Sequence, residues 1–360
     1  MRSSAQYRLF ATEPGARRLA RARALTHEGR PQDAELAYRA ALSDDPDDRT
    51  AWSELFELLR SGAHWEDALS TAEHAAAHFP GEGFPLALVG AAHVELGHWP
   101  EGLDWIQKAI ALDPDLALAW HEAGYAAWKV GEHAQALMAV DRAFALDPHG
   151  STLDLRGRIL RDAGRYLAAE VAFTGAAEAA EFSDQRRLAE RQVAVTRRYA
   201  AYHGHRPAAL PVHRRWFAET GGASLTAAGG EPPPNDGALI TAFIELAEEE
   251  GWRFTRIVTG DEWHGWSPLH RLLTAEQNGD IPLAVAHAPS NACEACLKVV
   301  QGIAETGRGL AFSLLAPFGV DAPIDVAGRV GDSSGGRIDL SGALEMVRHP
   351  EGRLARRMLR

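Results

Sequence analysis

Apolar and small residues recur along the first half of the chain in helix-length segments that short polar turns separate. Prolines follow these segments at a fixed interval of 34 residues, at Pro46, Pro80, Pro114 and Pro148. Thirty-four residues hold two short helices and two turns, and a proline stops the second helix because it lacks a backbone N–H. The period therefore predicts stacked helix pairs that bury their apolar faces against one another.

Other positions come into register when the repeats are aligned on these prolines. Small residues coincide at Ala34, Ala68, Gly102 and Ala136, and the larger Trp52 and Trp120 share a different position. Small residues let two helices approach closely, while large ones fill the space between neighbouring units. The combination resembles the tetratricopeptide repeat (TPR) family over about residues 15–203, as about five repeats and a polar capping helix.

The resemblance implies that the first helix of each repeat lines a concave groove that binds a protein or peptide partner. The groove residues are then Arg23, Arg60, Phe84, His121, Tyr125, Trp128 and Lys129. Tyr125 and Trp128 are the best anchors, because rigid aromatic side chains bury much area at low entropic cost. Packing of Trp128 under the next repeat is the alternative. The segment contains no asparagine, which argues against the TPR clamps that grip a carboxylate with asparagines and lysines.

The pattern changes after residue 203. Residues 204–236 are rich in glycine, alanine and proline, including the run "GGEPPPND", and are predicted to be a linker. Amphipathic helix patterns then alternate with apolar runs such as "IPLAVAHA" and "GLAFSLLAPF", which predicts a mostly parallel sheet with right-handed crossovers. The predicted fold class is an all-α TPR solenoid, preceded by an extension at residues 1–14 and followed by a small α/β domain at residues 237–360.

One part of the α/β domain resembles the catalytic domain of serine recombinases over about 80 residues, around "GDEWHGWSPLHRLLTAEQNGDIPLAVAHAPSN". The resemblance concerns the order of the elements and not the chemistry. The nucleophilic serine beside an arginine has no counterpart here, and "HAPSN" replaces the family's arginine-containing segment after the strand. Without those arginines, phosphoryl transfer would lose its charge stabilisation. The resemblance thus implies a catalytically altered relative.

The loop "GDEWHGW" follows a predicted strand and carries candidate catalytic residues. Asp261 and His264 lie in this loop, and His287 ends the next strand. Open parallel sheets bind ligands at the carboxyl ends of their strands. The three side chains are therefore expected to converge on one cleft there, with Trp263 or Trp266 forming its wall. Acid–base catalysis is one interpretation. An acidic loop with packed tryptophans is the other.

The only cysteines of the chain, Cys293 and Cys296, form a single C-x-x-C motif. Zinc ligation together with scattered histidines is chemically possible, but buried thiols on one helix face are favoured because cysteine buries readily. A thioredoxin-like redox motif has less support, since "NACEAC" lacks the usual aromatic, glycine and proline neighbours. Phosphate-loop, zinc-protease and nucleophile-elbow motifs are missing. No metal and no cofactor are therefore expected.

Composition narrows the function further. The net charge of −12 argues against general nucleic-acid binding. The sequence contains no run of 18 apolar residues, so no membrane-spanning helix is predicted. Two cysteines in 360 residues provide no disulfide framework, so a cytoplasmic location is the default. The leading hypothesis is a TPR scaffold or adaptor that binds a protein or peptide and presents the α/β domain. The alternatives are an enzyme whose TPR stack recruits substrate, and a recombinase-like regulatory module.

Overall fold

The chain divides into two compact units, Met1–Ile159 and Leu160–Arg360. The computed structural model describes residues 14–228, 235–275, 279–316, 323–331, 335–338, 340–357 and 359. The N-terminal extension predicted at residues 1–14 lies outside these residues except for its last position.

The first unit is built from successive helix pairs. Its helices are α1 (Pro14–His27), α2 (Pro31–Asp44), α3 (Arg49–Ser61), α4 (Trp65–His78), α5 (Gly83–Glu95), α6 (Trp99–Leu112), α7 (Ala117–Lys129), α8 (His133–Leu146) and α9 (Gly150–Asp162), the last of which crosses the boundary between the units.

The repeating prolines act as the sequence predicts. Helices α2, α4, α6 and α8 each end two residues before a proline, at Asp44, His78, Leu112 and Leu146. The next N–H in each case still bonds to the carbonyl four residues back, at 2.8 or 2.9 Å, before the chain turns. The helix pairs and their spacing confirm the predicted TPR solenoid.

Close approach of α5 and α6 explains the glycines at positions 90 and 102. A Cβ atom on Gly90 of α5 would lie 2.8 Å from the carbonyl oxygen of Gly102 in α6, and a Cβ on Gly102 would lie 2.8 Å from that of Gly90. Any larger side chain at either position would therefore force α5 and α6 apart.

The second unit combines helices with a small sheet. Its helices are α10 (Tyr166–Glu178), α11 (Ser183–Ala200), α12 (Val212–Thr220), α13 (Asp236–Glu249), α14 (Glu294–Thr306) and α15 (Leu340–Arg348). Its strands are β1 (Ala223–Ser224), β2 (Thr226–Ala228), β3 (Arg256–Thr259), β4 (Pro282–Ala286), β5 (Leu310–Ala316), β6 (Val326–Val330) and β7 (Gly335–Ile338). A 3₁₀ segment, His264–Leu272, lies between β3 and β4 along the chain.

The main sheet has the order β1-β6-β5-β4-β3, and all of its neighbouring strands are parallel. Strands β2 and β7 form a separate antiparallel pair. Phe243 of α13 stacks on Phe312 of β5 with ring centroids 4.1 Å apart, which anchors one helix layer on the sheet. The predicted α/β fold with a mostly parallel sheet is thus confirmed.

Residues 204–228, within the predicted linker, form part of this unit instead. They contain α12, and β1 pairs with β6 in register Ala223 to Val326. The glycine- and proline-rich composition reveals nothing of this pairing, because its partner strand lies about a hundred residues further along.

The compact unit also begins earlier than the boundary predicted after residue 203, since it contains α10 and α11. Tyr199 of α11 is 2% exposed, stacks on Tyr166 at 6.0 Å and donates a hydrogen bond to Glu219 at 2.8 Å. The helix predicted to be a polar cap therefore contributes to a core that continues into the sheet.

Candidate functional site

A cavity of about 870 Å³ lies on the helical array of the first unit. Residues of α3, α7 and α9 and the turn before α9 form its walls. Five of the seven predicted groove residues line it, namely Arg60, His121, Tyr125, Trp128 and Lys129.

The other two predicted residues lie elsewhere. Arg23 of α1 is exposed and forms an ion pair with Glu54, with a shortest N–O distance of 2.6 Å. Phe84 is 9% exposed and packs edge-on against Phe79 at 5.2 Å, so it belongs to the core near the start of α5. The cavity therefore covers only part of the predicted groove, and Phe84 lines a separate cavity of about 670 Å³.

One guanidinium organises the cavity. Arg60 of α3 donates through Nε to Glu95 of α5 at 3.0 Å, and through Nη1 to Glu122 of α7 at 2.9 Å. The same Nη1 atom lies 3.2 Å from Glu57 one turn earlier on α3. A single cation is therefore shared by three carboxylates from three successive repeats.

Aromatic side chains complete the wall. The Tyr125 hydroxyl donates to Glu95 at 2.8 Å, and the Arg60 guanidinium lies 4.7 Å above the Tyr125 ring. Trp128 lies next to it, with ring centroids 5.8 Å apart. Trp128 is also half-buried against the apolar cluster that contains Val140, so the same side chain lines the cavity and packs against the next repeat.

The carboxylates are in excess of the cations that face them. Glu122 is 2% exposed, and its Oε2 atom has no hydrogen-bond partner among the described residues. Partial desolvation by the groove walls raises the pKa of Glu57, although 56% of its side chain stays accessible. Arg60 opposes this rise, and the charges of Glu122 and Glu95 add to it. Lys129 and Arg158 also line the cavity, but among its described lining residues the four carboxylates of Glu57, Glu122, Asp147 and Asp154 still outnumber the three Lys and Arg side chains.

Sequence reasoning missed Glu95 and Glu122. Glu122 occupies the position that Leu88 occupies in the preceding repeat, where Leu88 is 1% exposed. The equivalent residues two repeats earlier and one repeat later are Glu54 and Arg156, so the repeat pattern itself does not single out Glu122.

The strand-edge candidates of the second unit have a different arrangement. Asp261 follows β3 and accepts hydrogen bonds from the backbone N–H of His287 at 2.8 Å and from Trp266 Nε1 at 3.0 Å. Burial opposes its ionisation, but these hydrogen bonds outweigh burial and lower the pKa of Asp261. The carboxylate therefore ties together the ends of β3 and β4.

The His287 side chain pairs with a residue that the sequence did not single out. Its Nε2 atom lies 3.1 Å from Oδ2 of Asp236 at the start of α13, and Arg329 of β6 bonds to the other oxygen at 2.6 Å. The Trp263 ring lies 6.2 Å from the His287 ring. His264 is exposed at the start of the 3₁₀ segment. The structure thus brings the predicted residues Asp261, His287 and Trp263 close together. Asp236 and Arg329, which were not predicted, belong to the same group of contacting residues.

The two cysteines differ in exposure. Cys293 is the exposed N-cap residue of α14, whereas Cys296 lies one turn later and is 1% exposed. In the part of the chain that the structure describes, no group of three or more His, Cys, Asp or Glu side chains is placed to hold a metal ion. Within the same residues, no helix has both the length and the apolar character needed to cross a bilayer.

Comparison with known proteins agrees with the repeat architecture. The model of the tetratricopeptide repeat family matches residues 15–58. The matched residues span α1, α2 and most of α3 of the TPR-like solenoid. No curated protein matches the chain.

Solved structures that resemble the chain are TPR proteins and assemblies. TTC0263, a thermophilic TPR protein of Thermus thermophilus, shares 20% identity and covers 50% of this chain and 98% of its own, with a TM-score of 0.43. The Cut9–Hcn1 hetero-tetramer of the APC/C shares 20% identity and covers 57% of this chain and 40% of its own, with a TM-score of 0.43. YrrB, described as a TPR protein with an unusual peptide-binding site, shares 17% identity and covers 53% of this chain and 98% of its own, with a TM-score of 0.31.

Proposed function

We propose that the protein is a TPR adaptor whose cavity binds a protein segment with a basic side chain, and that it presents the α/β unit to that partner. The observation that carries the proposal is the buried Oε2 atom of Glu122, which lacks a hydrogen-bond partner among the described residues on the wall of the cavity. A buried carboxylate is costly unless a cation or hydrogen-bond donors satisfy it.

An arginine or lysine from a partner would supply the missing charge. Arg60 already pairs with Glu57, Glu95 and Glu122, and so it cannot neutralise all three. A second guanidinium or ammonium would form charge-assisted hydrogen bonds with the accessible carboxylate of Glu57 and would offset the charge of buried Glu122 nearby.

The aromatic wall suits the stem of the same side chain. Long basic side chains pack their methylene groups on apolar surface while the charged head makes polar contacts. Tyr125 and Trp128 offer such a surface beside the carboxylates. A volume of about 870 Å³ falls in the range of ligand cavities and exceeds that of one side chain, so residues flanking the basic one would also be enclosed.

Selection from a random peptide library on the full-length protein tests the proposal. We expect enrichment of peptides with arginine or lysine next to apolar residues. The matched control is Glu122→Leu, which places at this position the residue of the preceding repeat, Leu88, and should lose the enrichment. Selection of acidic peptides, or of the same peptides by the variant, would contradict the proposal.

A further inference from the structure

The two cysteines lie at the carboxyl end of the parallel sheet, where the loop after β4 leads into α14. Cys293 caps α14 and Cys296 follows three residues later, so both side chains project from the first turn of one helix. The Cys293 sulfur is 3.7 Å from the carbonyl oxygen of Thr259, and the Cys296 sulfur is 4.0 Å from that of Val258. Both thiols thus lie against the same end of β3.

The stability of α14 does not explain why a cysteine occupies its capping position. Serine, threonine, asparagine and aspartate are the residues that cap helices well, and the Cys293 side chain makes no capping hydrogen bond. It is exposed, so it fills no core either. Its exposed position leaves the Cys293 sulfur accessible to a partner molecule.

Cys296 has the opposite environment. It is 1% exposed, and its sulfur contacts the carbonyl oxygen of Val285 at 3.9 Å. Burial raises the pKa of Cys296 to about 11, and the negative charges of Cys293 and Asp261 add to the rise. The buried thiol therefore keeps its proton at neutral pH, while the exposed thiol is open to reagents.

A glycine holds the start of α14 against the strand ends. The backbone N–H of Cys293 donates to the carbonyl of Gly260 at 2.9 Å. A Cβ atom on Gly260 would lie 3.0 Å from the Cα of Ala292 and 2.9 Å from the Cβ of Ala286.

The spacing of the two cysteines is compatible with a disulfide. Residues three apart on a helix have Cβ atoms about 5–6 Å apart, and a small rotation at the non-helical capping residue Cys293 reduces this distance to the Cβ–Cβ distance of a disulfide.

We propose that Cys293 and Cys296 form a redox-active dithiol that reduces a disulfide of a partner molecule. The Cys293 thiolate attacks one sulfur of the partner's disulfide, forms a mixed disulfide and expels the other sulfur as a thiolate, which takes up a proton. Cys296 then attacks the Cys293 sulfur, and its proton passes to the departing sulfur of the partner. This second step closes the Cys293–Cys296 disulfide and releases the partner's second thiol. Two electrons and two protons pass to the partner, and the dithiol is oxidised.

Oxidised glutathione is the probe for this chemistry. Full-length protein is equilibrated with buffers of different reduced-to-oxidised glutathione ratios, quenched with acid, alkylated after unfolding and measured by mass spectrometry. We expect the two thiols to disappear together in one transition and a Cys293–Cys296 disulfide to be found by peptide mapping. Retention of both free thiols across the series would overturn the proposal.

Two single variants separate a dithiol from an exposed thiol that merely reacts. Cys296→Ser should accumulate a mixed disulfide between Cys293 and one glutathione, whereas the wild type should contain about tenfold less, because Cys296 resolves it. Cys293→Ser should leave Cys296 without an adduct in the native state. Far-UV circular dichroism verifies that both variants are folded. Equal accumulation of the adduct in wild type and Cys296→Ser would refute the assigned role of Cys296.

Discussion

Arg60 and Glu122 form an ion pair at 2.9 Å although they lie on α3 and α7, two repeats apart. Since Arg60 also binds Glu95 of the intervening helix α5, one side chain connects the first helices of three successive repeats. The cavity wall is therefore held in place by its own charges before any partner binds, which reduces the cost of ordering it on binding.

Loss of the aromatic wall should weaken binding without unfolding the protein. We expect the double change Tyr125→Ala and Trp128→Ala to weaken capture of a selected peptide by about 2 kcal/mol or more, because aromatic anchors dominate such interfaces. Isothermal titration measures the effect. Trp99→Ala is the control, since Trp99 is 45% exposed at the start of α6 and lines no part of the cavity. An equal loss in the control would mean that the cavity is not the binding surface.

Removal of Arg60 should destabilise the array through the carboxylates left behind. Arg60→Met leaves Glu95 and Glu122 facing each other without their shared cation, and we expect a loss of about 2 kcal/mol or more in the free energy of unfolding. Adding Glu122→Leu should recover part of the loss. Urea unfolding measures both variants. An Arg60→Met variant with the same free energy of unfolding as the wild type would show that the ion pairs of Arg60 contribute little to stability.

Two glycine-to-alanine changes should have opposite effects on the stability of the protein. Gly90→Ala places its Cβ 2.6 Å from Ile106 and should destabilise the array by about 1–3 kcal/mol. Gly302 lies within α14 with nothing within 4 Å of an added Cβ. Gly302→Ala should therefore stabilise the protein by roughly 0.5–1 kcal/mol. Thermal unfolding of the two variants distinguishes steric contact from helix propensity. A stabilising Gly90→Ala would contradict the close approach of α5 and α6.

Alkaline pH should weaken the first unit through Tyr38. Burial raises the pKa of Tyr38 to about 12 from 10.0, and the charge of Glu54 adds to the shift. Between these values the unfolded chain loses the phenolic proton and the folded chain keeps it, so stability falls as pH rises from about 10 to 12. The advantage of wild type over Tyr38→Phe in the free energy of unfolding should shrink across this window, by at most about 3 kcal/mol. An advantage that stays constant from pH 9 to 12 would rule out the shift.

Local chemistry made the repeats predictable. Pro46, Pro80 and their equivalents end helices for reasons contained in a few residues, and the small residues at Ala34 and Gly102 follow from the contact of two adjacent helices. The ion pairs of Arg60 could not be predicted in the same way, because the curvature of the array decides which side chains from α3, α5 and α7 meet. The Asp236–His287 pair brings together residues 51 positions apart and depends on the order of strands in the sheet.

Recognition of a basic side chain by the cavity can be measured by comparing arginine with citrulline in an otherwise identical peptide. Citrulline keeps the shape of arginine but has no charge. The tightest selected peptide and its citrulline counterpart are titrated into the full-length wild type and into Glu122→Leu. We predict about tenfold or greater weakening for citrulline with the wild type, which is roughly 1.4 kcal/mol, and little difference with the variant. Equal affinity of the wild type for both peptides would show that the cavity does not recognise the charge of the side chain.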